Sequence, residues 1–294
     1  MSAMDLMKGL NLEIPTREIV AAAEKVLGCK VEITHLVTVG CSWTYCQGLP
    51  DKLNQGWPAL VARKLNIPLV NLAVPGSGND AIHRRTYEYV YVNLPTVSNP
   101  VFIIAWSQYW SREVWKKKMK DSDYENLIMP DNPKNMDVQQ NAALDNFDDL
   151  NHGRKTYIFK LSLMNLFKSH NIPYLMTDFS DGYSSAGIID SIVDKTAIEY
   201  KIKESFPNLY NTVNNNPYYM EPFYVLAEPY PKTPNCNHIG IEGNKFLAEY
   251  TVEKMLDTFP NASYINNRPY LKLQHFIKTQ PFMMKRPEWC FFVL

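Results

Sequence analysis

The sequence predicts an α/β fold, a mainly parallel sheet of about five strands lying between helices. Two observations carry this expectation. Four short apolar runs bounded by glycine or proline recur at His35 to Gly40, Pro68 to Val74, Pro100 to Ala105 and Ile172 to Thr177. Mainly apolar runs without strict alternation suit strands buried on both faces. Between them stand helical patterns at Trp57 to Leu65, Asn79 to about Val92, and Lys155 to His170, where Tyr157, Leu161, Met164 and Phe167 share a face. Strands alternating with helices build a parallel sheet covered on both sides, and ligands bind beyond the carboxyl ends of its strands.

Taken in order, Thr16 to Leu27 places Ile19, Ala23, Val26 and Leu27 on one helical face, starts at a Thr16 cap and stops at Gly28. Residues 1–33 are therefore expected to form a helical extension ahead of a domain spanning 34–258. Two stretches interrupt the alternation. Residues 119–152 are rich in Asp and Asn, and residues 181–234 in Pro, Asn and Tyr. Structureless connections of that length are uncommon unless they are lids or binding loops, so both are expected as inserted loops over the rim of the site. A last helix is expected to open at Asn235-Cys236-Asn237-His238 and run through Gly243, Phe246, Leu247 and Tyr250 to about Leu256. Residues 259–294 end in Trp289-Cys290-Phe291-Phe292-Val293-Leu294, too apolar to hang in water, and should pack on the domain.

Composition limits the function classes. The chain has 294 residues, 46% of them hydrophobic, with 30 basic and 30 acidic side chains. That apolar fraction excludes a disordered chain, and a net charge of zero removes the general electrostatic footprint of a nucleic-acid binder. The run Trp115-Lys116-Lys117-Lys118-Met119-Lys120 reads as a solvated stretch, as does the helix face carrying His83, Arg84 and Arg85. No window reaches about 18 uninterrupted apolar residues, and the first fifteen lack an apolar core with a small-residue cleavage site, so a soluble, unexported, cytoplasmic chain without a membrane partner is expected. The cysteines at 29, 41, 46, 236 and 290 are odd in number and have no paired ligand spacing. A reducing compartment, no bound metal and no cofactor are expected.

The chemistry sits at strand ends. Gly40-Cys41-Ser42-Trp43-Thr44 follows the first strand, and a serine leaving a strand can expose its hydroxyl at the sheet rim. After the second strand, Pro75-Gly76-Ser77-Gly78-Asn79-Asp80 combines close backbone approach with a Ser77–Asp80 capping-box spacing at a helix N-terminus, whose free N–H groups suit a developing anion. Ser107 and Gln108 follow the third strand, and His238 lies near the C-terminus. Each alone reads as a turn, a cap or a surface residue.

Together these blocks resemble the SGNH, or GDSL-like, hydrolases, which carry a flavodoxin-like three-layer α/β/α sandwich with four short blocks at strand ends. Ser42 matches the nucleophile block, Gly76 the glycine block, and His238 followed by Gly243 the final block. The pattern looks especially like SGNH-like proteins of tailed bacteriophages, in which the nucleophile block precedes a tryptophan-proline helix and an N-x-A-x-x-G segment; Trp57, Pro58, Asn71 and Ala73 fit it. The resemblance covers about residues 34–115 and 234–257. It implies hydrolysis of an ester, with an O-acetyl group on a carbohydrate as the expected substrate. Ser42 would be nucleophile, His238 base and Asn235 the group orienting the imidazole, while Gly76, Asn79, Ser107 and Gln108 would bind the oxyanion or substrate.

Two departures bear on that expectation. The third block usually supplies an asparagine, where this chain has Ser107 or Gln108. The final block usually reads Asp-x-x-His, and Asn235 stands where the aspartate belongs. An asparagine carbonyl can hold the ring but supplies no charge to the imidazolium. Asp178, Asp181 and Glu228 are the candidate substitutes. Cys41 is an alternative nucleophile by chemistry. Acyl transfer from the same site, and a degenerate domain serving as a virion or binding module with self-association open, remain alternatives. The resemblance places the chain in a host cell or in a virion. Tyr210, Tyr218, Tyr219, Phe223, Tyr224 and Tyr230 in the second insertion are candidates for stacking on a sugar or for packing a loop.

Overall fold

His35–Val39, Leu69–Asn71, Pro100–Trp106 and Tyr174–Asp178 are buried at every position, the polar His35, Thr38, Asn71, Thr177 and Asp178 included. A computed structural model describes residues 31–93, 99–107, 112–114, 125–127, 149–179, 195–234, 236 and 238–264. In chain order its elements are β1 (Val31–Ile33), β2 (His35–Val39), α1 (Lys52–Gln55), α2 (Trp57–Lys64), β3 (Leu69–Asn71), α3 (Asn79–Asn93) and β4 (Pro100–Trp106). There follow β5 (Arg112–Val114), β6 (Glu125–Leu127), α4 (Asp149–Ser169), β7 (Tyr174–Asp178), α5 (Lys195–Ser205), α6 (Pro207–Asn214), α7 (Phe223–Ala227), α8 (Ile241–Thr258) and β8 (Ala262–Tyr264).

The central sheet is parallel, with four strands in the order β3-β2-β4-β7. This is an α/β fold, and its strand order is that of the flavodoxin-like doubly wound sheet through four strands. The place of a fifth strand beside β7 is taken by residues 218–220, where Met176 N–H donates to Tyr218 O (2.8 Å) and Met220 N–H to Met176 O (2.7 Å).

Alternate residues of the strands enter two separate cores. Leu36, Leu69, Val101, Ile103, Ala105 and Leu175 pack with α2 and α8 through Trp57, Val61, Leu247 and Met255. Val37, Val70, Phe102, Ile104 and Met176 pack with α3 and α4 through Ile82, Val90, Leu163 and Phe167. The result is three layers, with the carboxyl ends of β2, β3 and β4 opening at one rim.

Several elements differ from the sequence expectation. The sheet has four strands among the described residues instead of about five. α4 begins at Asp149, because the polar residues that suggested a loop lie on a helix. The second insertion holds α5, α6 and α7 in its described part, and several of its rings pack on the domain while Tyr200 is exposed. Phe223 is fully buried against Trp57 and Phe179 (centroids 5.2 and 5.3 Å), Tyr218 packs on Tyr174 (5.0 Å) and Tyr210 stacks on Tyr157 (5.7 Å). β1 and β8 fall inside the stretches read as extension and tail, and pair with each other in parallel. The helix expected over 16–27, and most of residues 119–148, lie outside the described residues.

The last helix starts later than expected. Thr233 N–H donates to His238 O (2.6 Å), Gly240 N–H to Pro231 O (2.9 Å), and Lys232 bridges Ile239, so residues 231–240 form a closed turn and α8 begins at Ile241.

Candidate active site

The segment leaving β2 turns at once: Tyr45 N–H donates to Cys41 O and Gln47 N–H to Ser42 O, both at 2.9 Å. The turn is strapped to the next block by Asn71 at the end of β3. Its amide donates to Thr44 O (3.1 Å) and its carbonyl accepts from Ala73 N–H (3.0 Å), while Val74 N–H donates to Gly40 O (3.2 Å). Gly76 then takes φ +75°, a conformation that a side chain disfavours. Ser42 and Gly76 are thereby held at the same rim, and among the described residues neither backbone N–H donates to a backbone carbonyl.

His238 arrives from the closed turn at 231–240. Its Nε2 lies 2.7 Å from Ser42 Oγ, and its Nδ1 lies 2.7 Å from the backbone carbonyl oxygen of Cys236. A carbonyl can only accept, so Nδ1 carries the proton and Nε2 presents its lone pair to the serine hydroxyl. The turn is pinned from behind. Gly48, at φ +86°, lets the serine loop close on Cys236 and Thr233; Cys236 Sγ reaches Thr233 Oγ1 (3.0 Å), and Thr233 Oγ1 accepts from His238 N–H (3.2 Å). Trp43 flanks the imidazole (5.7 Å between centroids) and packs on Phe179 (4.9 Å). Burial lowers the His238 pKa from 6.5, against a raising effect of the Cys236 carbonyl, with the positive charge of Lys232 lowering it further. The imidazole is thus a neutral base at pH 7.

The other candidates are placed as follows. Asn79 spends its amide on the backbone end of β4: Nδ2 donates to Ser107 O (3.0 Å) and Thr156 Oγ1 (3.2 Å), and Oδ1 accepts from Ser107 N–H (2.8 Å). It braces Ser107. The hydroxyls of Ser107 and Ser42 both reach the thiol of Cys41, which is buried and whose pKa burial raises, so Cys41 is a poor nucleophile. Gln108, Asn235 and Asp181 lie outside the described residues. Glu228 is exposed, and Asp178 is bound by Lys160 Nζ (3.0 Å) and Tyr219 OH (2.8 Å). Among the described residues, then, the acceptor at Nδ1 is a main-chain carbonyl and no carboxylate.

Two smaller expectations change. Ser77 forms no capping box with Asp80: its hydroxyl donates to Val74 O (2.7 Å) and accepts from Arg85 Nη1 (2.6 Å), and Asp80 accepts from Ala81 N–H. The face carrying His83 and Arg85 is not wholly solvated. His83 sits between Tyr87 and Phe159 with Nε2 3.2 Å from Ser162 Oγ, and burial lowers its pKa to about 4; Arg85 is buried.

Among the described residues, no group of three or more His, Cys, Asp or Glu could hold a metal ion, and no helix is long and apolar enough to cross a membrane. Neither a family model nor a curated protein matches the sequence. Solved structures do align with the chain. The psychrotrophic esterase EstA from Pseudoalteromonas sp. is 13% identical with a TM-score of 0.46, over 77% of this chain and 99% of that one. A lipolytic protein of the G-D-S-L family from Veillonella parvula is 12% identical with a TM-score of 0.44, over 77% and 98%. The acetyl xylan esterase AlAXEase is 14% identical with a TM-score of 0.39, over 76% and 98%. The chemistry of the site rests on its own geometry.

Proposed function

We propose that the chain is a serine ester hydrolase of the SGNH, GDSL-like kind. The observation that carries the reading is the 2.7 Å approach of His238 Nε2 to Ser42 Oγ, with the opposite ring nitrogen fixed by the Cys236 carbonyl. In the first half-reaction Ser42 Oγ attacks the acyl carbon as Nε2 takes its proton, and the resulting imidazolium gives that proton to the leaving alcohol. Water then attacks the acyl-serine by the same route, releasing acid and restoring the hydroxyl. The N–H groups of Ser42 and Gly76 hold the oxyanion, each donor contributing on the order of 3 kcal/mol.

A carbonyl in place of a carboxylate retains one half of the usual function. It selects the productive tautomer, whose loss accounts for a roughly 10⁴-fold fall in kcat when the triad aspartate of a serine protease is replaced by asparagine. It leaves the imidazolium without a counter-charge, so turnover should be slower than in a site with a carboxylate. The bacteriophage-type blocks have structural tasks in this reading: Asn71 straps two loops, and Trp57-Pro58 opens α2. Of the insertion rings that are candidates for sugar stacking or for packing, Tyr210, Tyr218, Phe223 and Tyr230 pack against other rings, so the proposal is confined to the ester.

The test is labelling with a fluorophosphonate, with the adduct located by mass spectrometry, followed by kinetics on a small activated acetate. Ser42 should carry the adduct. Because burial lowers the His238 pKa, the neutral base persists into more acid solution, and the acid limb of kcat/KM should fall below pH 6.5. No adduct on a folded chain would favour the binding or virion module, and acyl transfer to an added alcohol in preference to water would favour the acyltransferase.

A further inference from the structure

Asn244 lies in the first turn of α8 and is 1% exposed. Its side chain joins three segments: the start of α2, the loop that follows β2, and the turn just ahead of its own helix. Oδ1 accepts from Trp57 N–H (3.0 Å), a donor at the start of α2 that has no partner within its own helix, and from the Cys46 thiol (3.5 Å). Nδ2 donates to Ile239 O and Gly240 O, both at 3.0 Å. Cys46 ends the tight loop that begins at Ser42, and Ile239 is bonded directly to His238. One buried amide is therefore tied to the segment carrying the nucleophile and to the segment carrying the base.

The chemistry of the four contacts is specific. The Trp57 N–H at Oδ1 can only donate and the two carbonyls at Nδ2 can only accept, so a carboxamide in this orientation satisfies all three, while the Cys46 thiol has both Oδ1 and Thr44 O (3.6 Å) as acceptors. A carboxylate of the same shape would set oxygen against two carbonyls, and a shorter or apolar side chain would leave buried groups unpaired.

We infer that Asn244 is a positioning residue that sets the separation of Ser42 and His238 by clamping the serine loop to the turn that follows the histidine. The inference rests on the reading of those two residues as nucleophile and base. It assigns to Asn244 no contact with substrate.

The test uses the full chain with Asn244→Asp, Asn244→Ser as the smaller change, and Leu247→Ala as a control that damages the same helix in its apolar core. Circular dichroism and melting temperature report the fold, kinetics on a small activated acetate report turnover, and ¹⁵N shifts of the His238 ring report its tautomer without any turnover. The Asn244 variants should stay folded at low temperature and lose roughly 100-fold in kcat, the scale expected of an ångström-sized misplacement, with KM little changed. Their His238 ring should lose the single Nδ1–H tautomer of the wild type. Leu247→Ala should lower the melting temperature while keeping kcat per folded molecule and the tautomer. Retention of both kcat and tautomer in either folded Asn244 variant overturns the inference, as does an equal loss of both in Leu247→Ala. If the wild type hydrolyses no ester, the hydrolase reading fails, and the ¹⁵N spectra still decide whether Asn244 holds the ring in place.

Discussion

Replacing Ser42 by alanine should lower kcat on a small activated acetate by on the order of 10⁴ to 10⁶-fold, with the melting temperature near that of the wild type. In the proposed reaction Ser42 carries the covalent step, and the neighbouring Cys41 is a poor substitute because it is buried with its thiol pKa raised. His238→Ala should cost nearly as much, and the double variant little more than either single one, because a nucleophile without its base and a base without its nucleophile are equally idle. The Ser42 hydroxyl is half-buried and its loop is held by backbone hydrogen bonds, so its removal barely disturbs packing. Steady-state kinetics with circular dichroism decide the matter. A loss under about tenfold in Ser42→Ala would place the chemistry elsewhere.

The parts of this site that could be read from sequence are those with a local signature. Strands buried on both faces are mainly apolar without alternation, so the runs at His35, Pro68, Pro100 and Ile172 located β2, β3, β4 and β7 to within a few residues. Functional blocks at strand ends followed from the same pattern. The helices of the second insertion were hidden by their own start signals. Pro207 and Pro222, read there as loop residues, stand at the openings of α6 and α7, where a missing N–H costs nothing. The turn at 231–240 depends on bonds between its two arms, and β1 pairs with β8 across the length of the domain, so neither has a local pattern. The partner of His238 Nδ1 could not be found by residue type at all. Every residue has a carbonyl, and only the closed turn aims that of Cys236 at the ring.

Lys160→Met should destabilise the fold by about 3 to 5 kcal/mol while sparing kcat per folded molecule. The two charges of this pair are almost withdrawn from water, at 1% and 11% side-chain exposure, with Lys160 Nζ 3.0 and 3.3 Å from the two carboxylate oxygens of Asp178 and Tyr219 OH donating to one of them. Removing the ammonium takes from the buried carboxylate the cation 3.0 Å away, and the Tyr219 hydroxyl cannot replace an opposite charge. Asp178 was a candidate to orient His238, and the two roles make opposite predictions. If its charge serves the ion pair alone, the double variant Lys160→Met with Asp178→Leu should recover most of the lost stability, because no orphaned charge remains, and its kcat should match the wild type. If Asp178 instead supports the imidazole, Asp178→Leu alone should cut kcat at least tenfold, a cost the double variant would keep even with its stability restored. Chemical denaturation of the four proteins gives the stability cycle, and esterase kinetics on the same samples give the second. The Cys236 carbonyl already occupies Nδ1 at 2.7 Å, so the first outcome is the expected one.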